Sequence, residues 1–182
     1  MRTCGTCSLC CKVGHIKELN KPAGVWCPNA RPGKGCIIYG NHPSECQTFK
    51  CAWLNDENMG DEWKPTFSKL VVRVDGTGIF VHCDPGARGA WKKEPYYSTL
   101  KRAAQGLWDS TAHVVVHEGP DTTVIFPDQD LYIGKVHEGD AVVVGYRKLP
   151  TSRQPFARVD TAQGTQIEHL GAEQPFISRP VA

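Results

Sequence analysis

From Lys64 onward the chain alternates apolar and polar positions. SKLVVRVDGTGIFVHCDPG does so on either side of Asp75-Gly76-Thr77-Gly78, the two-residue period of strands joined by a glycine-containing hairpin turn. The period then changes. In PYYSTLKRAAQGLWDS, Tyr96 or Tyr97, Leu100, Ala103, Ala104, Leu107 and Trp108 recur at spacings of three and four, which predicts a helix with one buried stripe. Pro95 suits its first turn. Further strands are predicted around His113 to His117, Thr122 to Phe126 with Asp130 to Ile133 close behind, and Ala141 to Arg147. Gly119-Pro120 and Glu138-Gly139-Asp140 punctuate them. Strand, strand, helix and several strands make residues 65–149 a small α+β domain, with a mainly antiparallel sheet and one helix across it.

The two ends lack such periods. Residues 1–64 read as loops: KPAGVWCPNARPGKGC carries three prolines and three glycines, and YGNHPSEC has turn signals at Gly40-Asn41 and Pro43. A short helix is predicted from Ser44, as N-cap, to about Leu54, with Phe49 and Trp53 sharing its apolar face. Large apolar and aromatic residues number 15 in positions 1–64 and 29 in positions 65–149. A segment so poor in core needs disulfides or metal to offset the entropy of ordering its backbone. Beyond Leu149 such residues fall to 7 in 33 and prolines recur at 150, 155, 175 and 180, so residues 150–182 are expected to be a flexible tail.

Composition changes the picture only by exclusion. The 182 residues are 40% hydrophobic and 22% charged, with a mean hydropathy of -0.37, in the range of globular proteins. No apolar run approaches the roughly 18 residues of a membrane span, and Met1-Arg2-Thr3 leads into no secretory apolar stretch. The expected location is the cytoplasm, with no membrane partner. A net charge of +2 gives no electrostatic footprint for nucleic acid.

In a reducing compartment, clustered thiols point to metal or redox chemistry rather than disulfides. Eight of the nine cysteines, at 4, 7, 10, 11, 27, 36, 46 and 51, lie in the first 51 residues. Cys4-x2-Cys7-x2-Cys10 is the informative spacing, because two intervening residues let a tight turn aim both sulfurs at one ion about 2.3 Å away. Cys10 and Cys11 are adjacent, and neighbouring side chains diverge by about 100° on a helix or to opposite faces of a strand. They therefore belong to two centres, or one of them bridges two metals. Eight thiolates suit two four-cysteine sites, whose membership the spacing leaves open. Zinc would make them redox-silent; iron or an iron-sulfur cluster would add electron transfer or sensing. Lys12, Lys17, Lys21, Arg31, Lys34 and Lys50 are placed to offset part of the thiolate charge.

CGTCSLCCK, KPAGVWC, GKGCIIY and PSECQTFKCAW together resemble the bacterial CxxCxxCC family, the YkgJ-type zinc- or iron-chelating cysteine-cluster proteins. The resemblance spans residues 3–54 and, more loosely, the following hairpin. It implies metal binding through Cys4, Cys7, Cys10, Cys11, Cys27, Cys36, Cys46 and Cys51. His42 replaces the family's usual arginine before proline, and Gln47 stands where arginine is common. The flagellin lysine methylase has a similar cysteine motif, associated with an iron-sulfur cluster. This chain shows no glycine-rich cofactor fingerprint, and that activity does not carry over.

The remaining candidates are weaker. Cys83, on one strand face with Val81 and Ile79, reads as a small buried hydrophobe, with His82 on the opposite face. His15 and His42 could each replace a thiolate. His113 and His117 would face one side of a strand about 13 Å apart, too far for one ion. Asp128, Asp130, Glu138 and Asp140 read as turn caps. No catalytic signature appears, so an enzyme with its own active site is not expected. The leading expectation is a metal-binding protein holding two zinc ions in a structural or metal-handling role. The alternatives are an iron-sulfur protein supporting electron transfer or a partner enzyme, and an adaptor presenting Trp26, Trp53 and Trp63 to a protein partner.

Overall fold

The cysteine-rich segment folds as short pieces on long turns. In the computed structural model, which describes residues 2–107, 110 and 112–175, it contains α1 (Cys10–Val13), the two-residue strands β1 (Ala30–Arg31) and β2 (Gly35–Cys36), α2 (Ser44–Thr48), α3 (Ala52–Asn55) and α4 (Pro65–Ser68). Each helix is one turn or little more, too short to stand without tertiary support. The single helix predicted from Ser44 to Leu54 is instead two, broken at Phe49, whose extended backbone ends α2. Pro43, not Ser44, is the N-cap, and the Ser44 hydroxyl donates to Glu18 Oε1. Trp53 is buried while Phe49 is exposed, so the two share no apolar face.

The predicted hairpin follows. β3 (Leu70–Asp75) and β4 (Gly78–Cys83) pair antiparallel, from Leu70 opposite Cys83 to Asp75 opposite Gly78. Gly78 has φ +150°, and a Cβ there would lie 2.1 Å from the His113 carbonyl oxygen, so only glycine fits this close approach. The chain crosses over through α5 (Tyr96–Leu107) and returns as β5 (His113–Glu118), parallel to β4. β6 (Asp121–Ile125) and β7 (Asp130–Lys135) complete a five-stranded sheet in the order β3-β4-β5-β6-β7. Every other pairing in it is antiparallel, as the sequence predicts. Trp108 lies outside the described residues; Leu100 and Ala104 supply the buried stripe of α5.

The sheet's two faces follow residue parity. Leu70, Val72, Val81, Cys83, Val114, Val116 and Ile125 pack with α5 and Trp91. On the other face Val115, Val124, Phe126 and Ile133 meet Ala157 and Val159. Those last two belong to a second sheet of β8 (Ala141–Lys148), β9 (Ser152–Asp160), β10 (Gln166–Leu170) and β11 (Gln174–Pro175). β9 is its centre, paired with β8 along its length and with β10 and β11 against its two ends. Residues 150–175 are therefore not a flexible tail, and the boundary expected at 149 falls inside the β8–β9 hairpin. The expectation for 176–182 falls outside the described residues.

The boundary expected near residue 64 is also crossed by packing. Ala52, Trp53 and Trp63 sit in the same core as Trp91 and Leu100, and Leu9 and Val13 pack on Val71 of β3. Lys12 Nζ bridges to Asp84 Oδ1 at 2.6 Å. Among the described residues no helix is long and apolar enough to cross a membrane.

Candidate metal centre

Local structure brings all eight predicted cysteines to one place. They line a single cavity of about 310 Å³, and all are free thiols. Cys4 and Cys7 face it from a tight turn closed by the Cys7 amide donating to the Cys4 carbonyl at 2.9 Å. Cys10 and Cys11 open α1. The Cys27 amide donates to the Cys11 carbonyl, and the Ala30 amide to the Cys27 carbonyl, each at 3.0 Å. Cys36 closes β2 opposite Ala30, Cys46 lies inside α2, and Cys51 is the N-cap of α3. Gly35, beside Cys36, has φ +97°, and a Cβ on it would reach 3.0 Å from the Gly5 carbonyl oxygen. The Cys4–Cys7 turn and the β1–β2 hairpin thus touch backbone to backbone.

Burial opposes the ionisation of four of these thiols, Cys4, Cys10, Cys46 and Cys51. Burial, then the neighbouring Cys51 and Cys7, push Cys4 up. Burial also raises Cys51, against partial relief from the amide that Leu54 presents at the start of α3, and carries Cys46 to about 11, with Cys11, Cys27 and Cys36 adding to it. Cys10 donates its S–H to Cys11, which raises Cys10 well above the ordinary thiol range. The same bond, with the Lys21 ammonium nearby, lowers Cys11 to about 7. Cys11 is thus readier than Cys4, Cys10, Cys46 or Cys51 to become a thiolate, the form that binds metal.

Lys21 is the buried charge of this region, only 3% exposed. Its ammonium donates to the carbonyls of Lys12, at 3.0 Å, and Gly14. Burial lowers its pKa, while Cys27, Cys11, Cys10 and Cys46 pull it back up. Trp53, in the cavity wall, keeps a buried indole N–H without a hydrogen-bond partner among the described residues, a donor suited to thiolate sulfur.

Three histidines also line the cavity: His15, His42 and His82. The His15 ring lies 3.0 Å from Glu138 Oε1. The His42 Nδ1 accepts from the Gly40 amide at 3.1 Å, and its ring stacks on Tyr39, so both predicted substitutes for thiolates have other partners. His82 was expected only to face away from Cys83. In the structure its ring stacks on His117 at 5.0 Å, and burial holds the two at about 3 and about 4. The Thr122 hydroxyl gives its hydrogen to the Pro120 carbonyl at 3.0 Å, so it accepts from His117 Nδ1–H at 3.1 Å. Parity could place His82 and His117 on one sheet face, but not beneath the thiols.

Cys83 is 2% exposed in the helix-facing core, pushed by burial to about 12; it does not line the thiol cavity. Asp140 caps turns, accepting from the amides of His137 at 2.8 Å and Ala162 at 2.9 Å. Asp130 instead binds Tyr97 and Lys101 of α5. Trp53 and Trp63 are buried and only Trp26 of the three tryptophans is exposed, so the adaptor surface drawn from them does not form.

Among the described residues no three Cys, His, Asp or Glu side chains are already gathered as a metal-holding group. The donor chemistry nonetheless fits a soft cation: eight free sulfurs around one cavity, a buried lysine beside them, and an unpaired indole N–H. No family model matches the chain, and neither the curated proteins nor the solved structures contain a match.

Proposed function

We propose that the chain is a metal-binding protein whose eight N-terminal cysteines hold two soft cations, zinc first, in a structural or metal-handling role. One observation carries the reading: eight cysteines spread over 48 residues of sequence line one cavity without a disulfide among them. The motif's resemblance to the CxxCxxCC family supports it, as does the poverty of core in the same segment. The residues that would hold metal are Cys4, Cys7, Cys10, Cys11, Cys27, Cys36, Cys46 and Cys51. Bound zinc would supply cross-links in place of a core and would keep the thiols deprotonated. Free thiols of this kind suit a reducing, cytoplasmic setting.

Metal and sulfide analysis of anaerobically purified protein tests the reading. A colourless chain with about two zinc ions is the expected result, following from four thiolates per ion. A brown protein absorbing near 400 nm, with iron and acid-labile sulfide, would replace zinc by an iron-sulfur cluster on the same ligands. A chain that holds no metal and takes up none would end the proposal.

A further inference from the structure

Which four cysteines belong together is not legible in the spacing, but the packing divides them. We propose that Cys4, Cys7, Cys10 and Cys51 form one tetrathiolate centre and Cys11, Cys27, Cys36 and Cys46 a second, with the peptide between Cys10 and Cys11 as their common wall. The inference rests on the metal-binding reading above and adds its ligand sets.

Two separate apolar clusters carry the division. In one, Leu9, Val13 and Val71 pack with Cys10 and Cys51. In the other, Ile16, Ala30 and Cys27 pack with Cys11, Leu19 and Cys46. Adjacent residues of α1 thus enter different clusters, as the roughly 100° turn between helical neighbours requires. Cys4 and Cys7 share one turn and are the two thiols left to complete the first set once packing has placed the other six. Cys36 joins the second set because it pairs with Ala30, which lies in that cluster, and the Cys27–Cys11 backbone bond ties the same set together.

Electrostatic neighbours agree with the packing. The strongest thiol influences on Cys4 are Cys51 and Cys7, whereas those on Cys46 are Cys11, Cys27 and Cys36. Cys10 meets Cys11 directly, and Cys4 and Cys7 next. Across the sets, Cys10 meets Cys11 and Cys11 acts on Cys4 behind Cys51 and Cys7. Lys21 sides with the second set, since three of its four thiol neighbours, Cys27, Cys11 and Cys46, belong there.

The test replaces native metal with 113Cd in the full chain and records correlations between each cadmium and the cysteine β-protons. The expected spectrum has two cadmium resonances, one coupled to Cys4, Cys7, Cys10 and Cys51 and the other to Cys11, Cys27, Cys36 and Cys46. Paired variants give a second reading. C7S/C51S should lose the first resonance and keep the second; C36S/C46S should do the reverse; the mixed pair C46S/C51S should lose both. Correlations that mix the sets, or Cys10 β-protons coupled to both ions as in a bridging thiolate, overturn the partition. The wild-type correlations decide this even where a variant does not fold. Wild-type protein that takes up neither zinc nor cadmium fails at the earlier step and overturns the metal-binding reading itself.

Discussion

Residues 2–51 and the paired sheets of residues 70–175 differ most in what they bury. Residues 70–175 carry Leu70, Val81, Trp91, Val114, Val115, Val124 and Ile133, each at most 2% exposed, in two clusters on opposite faces of one sheet. The cysteine segment offers Leu9, Val13 and Ile16 as its only buried large aliphatics, in two small clusters that each include thiols. At about 25 cal/mol per Å² of apolar surface, the sheets contain a driving force of their own. The cysteine segment lacks one, and its sulfurs stand where a core would be. Apolar burial holds one region; ligation should hold the other.

Metal removal should break this contrast most strongly. Structural zinc contributes on the order of 10 kcal/mol to small domains that fold around it, so chelation should unfold the cysteine segment while the sheets persist. Trypsin should then cut at Lys12 and Lys34, with the β3–β7 amides still protected in hydrogen exchange. C10S and C11S should each reproduce part of that loss, costing structure together with metal. Unchanged protection of the segment after chelation would show that burial, not ligation, holds it.

The reverse perturbation belongs to the other core. Trp91→Ala empties the largest fully buried side chain among the described residues and should destabilise the chain by roughly 3–5 kcal/mol in urea unfolding. Metal content should stay at the wild-type level under native conditions. Loss of metal in step with loss of sheet stability would mean that the two regions unfold as one, through Trp53, Trp63 and Leu9.

How much of this was legible depended on which physical signal each segment carries. The β3–β4 hairpin and α5 announce themselves because large apolar residues recur at the periods of strand and helix. β9 does not, although its burial alternates at every second residue from Arg153 through Pro155 and Ala157 to Val159. Its inward positions are a cation, a proline, an alanine and a single valine, while Phe156 stands on the outward row, so a count of large apolar residues sees only decline. The thiols were legible as a candidate site because their spacing is chemical rather than periodic. Their partition was not, since it depends on how α1 turns Cys10 and Cys11 toward different neighbours. His82 was missed as part of the site, and Lys21 was not told apart from the five other cations of the segment, for the same reason: only tertiary packing brings His82 to the cavity and buries Lys21 beside the thiols.

The stacked histidines sharpen the comparison from the sheet side. His82 and His117 fall to about 3 and about 4 from an ordinary 6.5, so between those values and about pH 6.5 the unfolded chain binds more protons than the folded one. Their contribution is fully present above pH 6.5 and drains as pH falls through that window, by up to several kcal/mol at about 1.4 per pH unit for each group. His117→Asn keeps a donor for Thr122 but cannot titrate, and should flatten the acid limb of urea stability measured from pH 6.5 to 4.5. An acid limb identical to wild type would place the sensitivity elsewhere, in carboxylates such as Asp84 beside Lys12.

Lys21 gives the smallest effect and separates charge from hydrogen bonding inside the cysteine segment. Its ammonium both satisfies the Lys12 and Gly14 carbonyls and stands near Cys11, Cys27 and Cys46. Lys21→Gln retains an N–H donor without the charge, whereas Lys21→Met removes both. If the charge offsets thiolate at the second centre, both variants should weaken zinc there about tenfold, the lower end of the range for groups beyond the direct ligands. The Cys4 centre should be unaffected in competition with a chromophoric chelator. If Lys21→Gln instead binds like wild type and only Lys21→Met fails, the lysine serves as a brace for the end of α1. The thiolate charge would then be balanced by the metal and the surrounding amides, and the cysteine segment would depend on ligation alone.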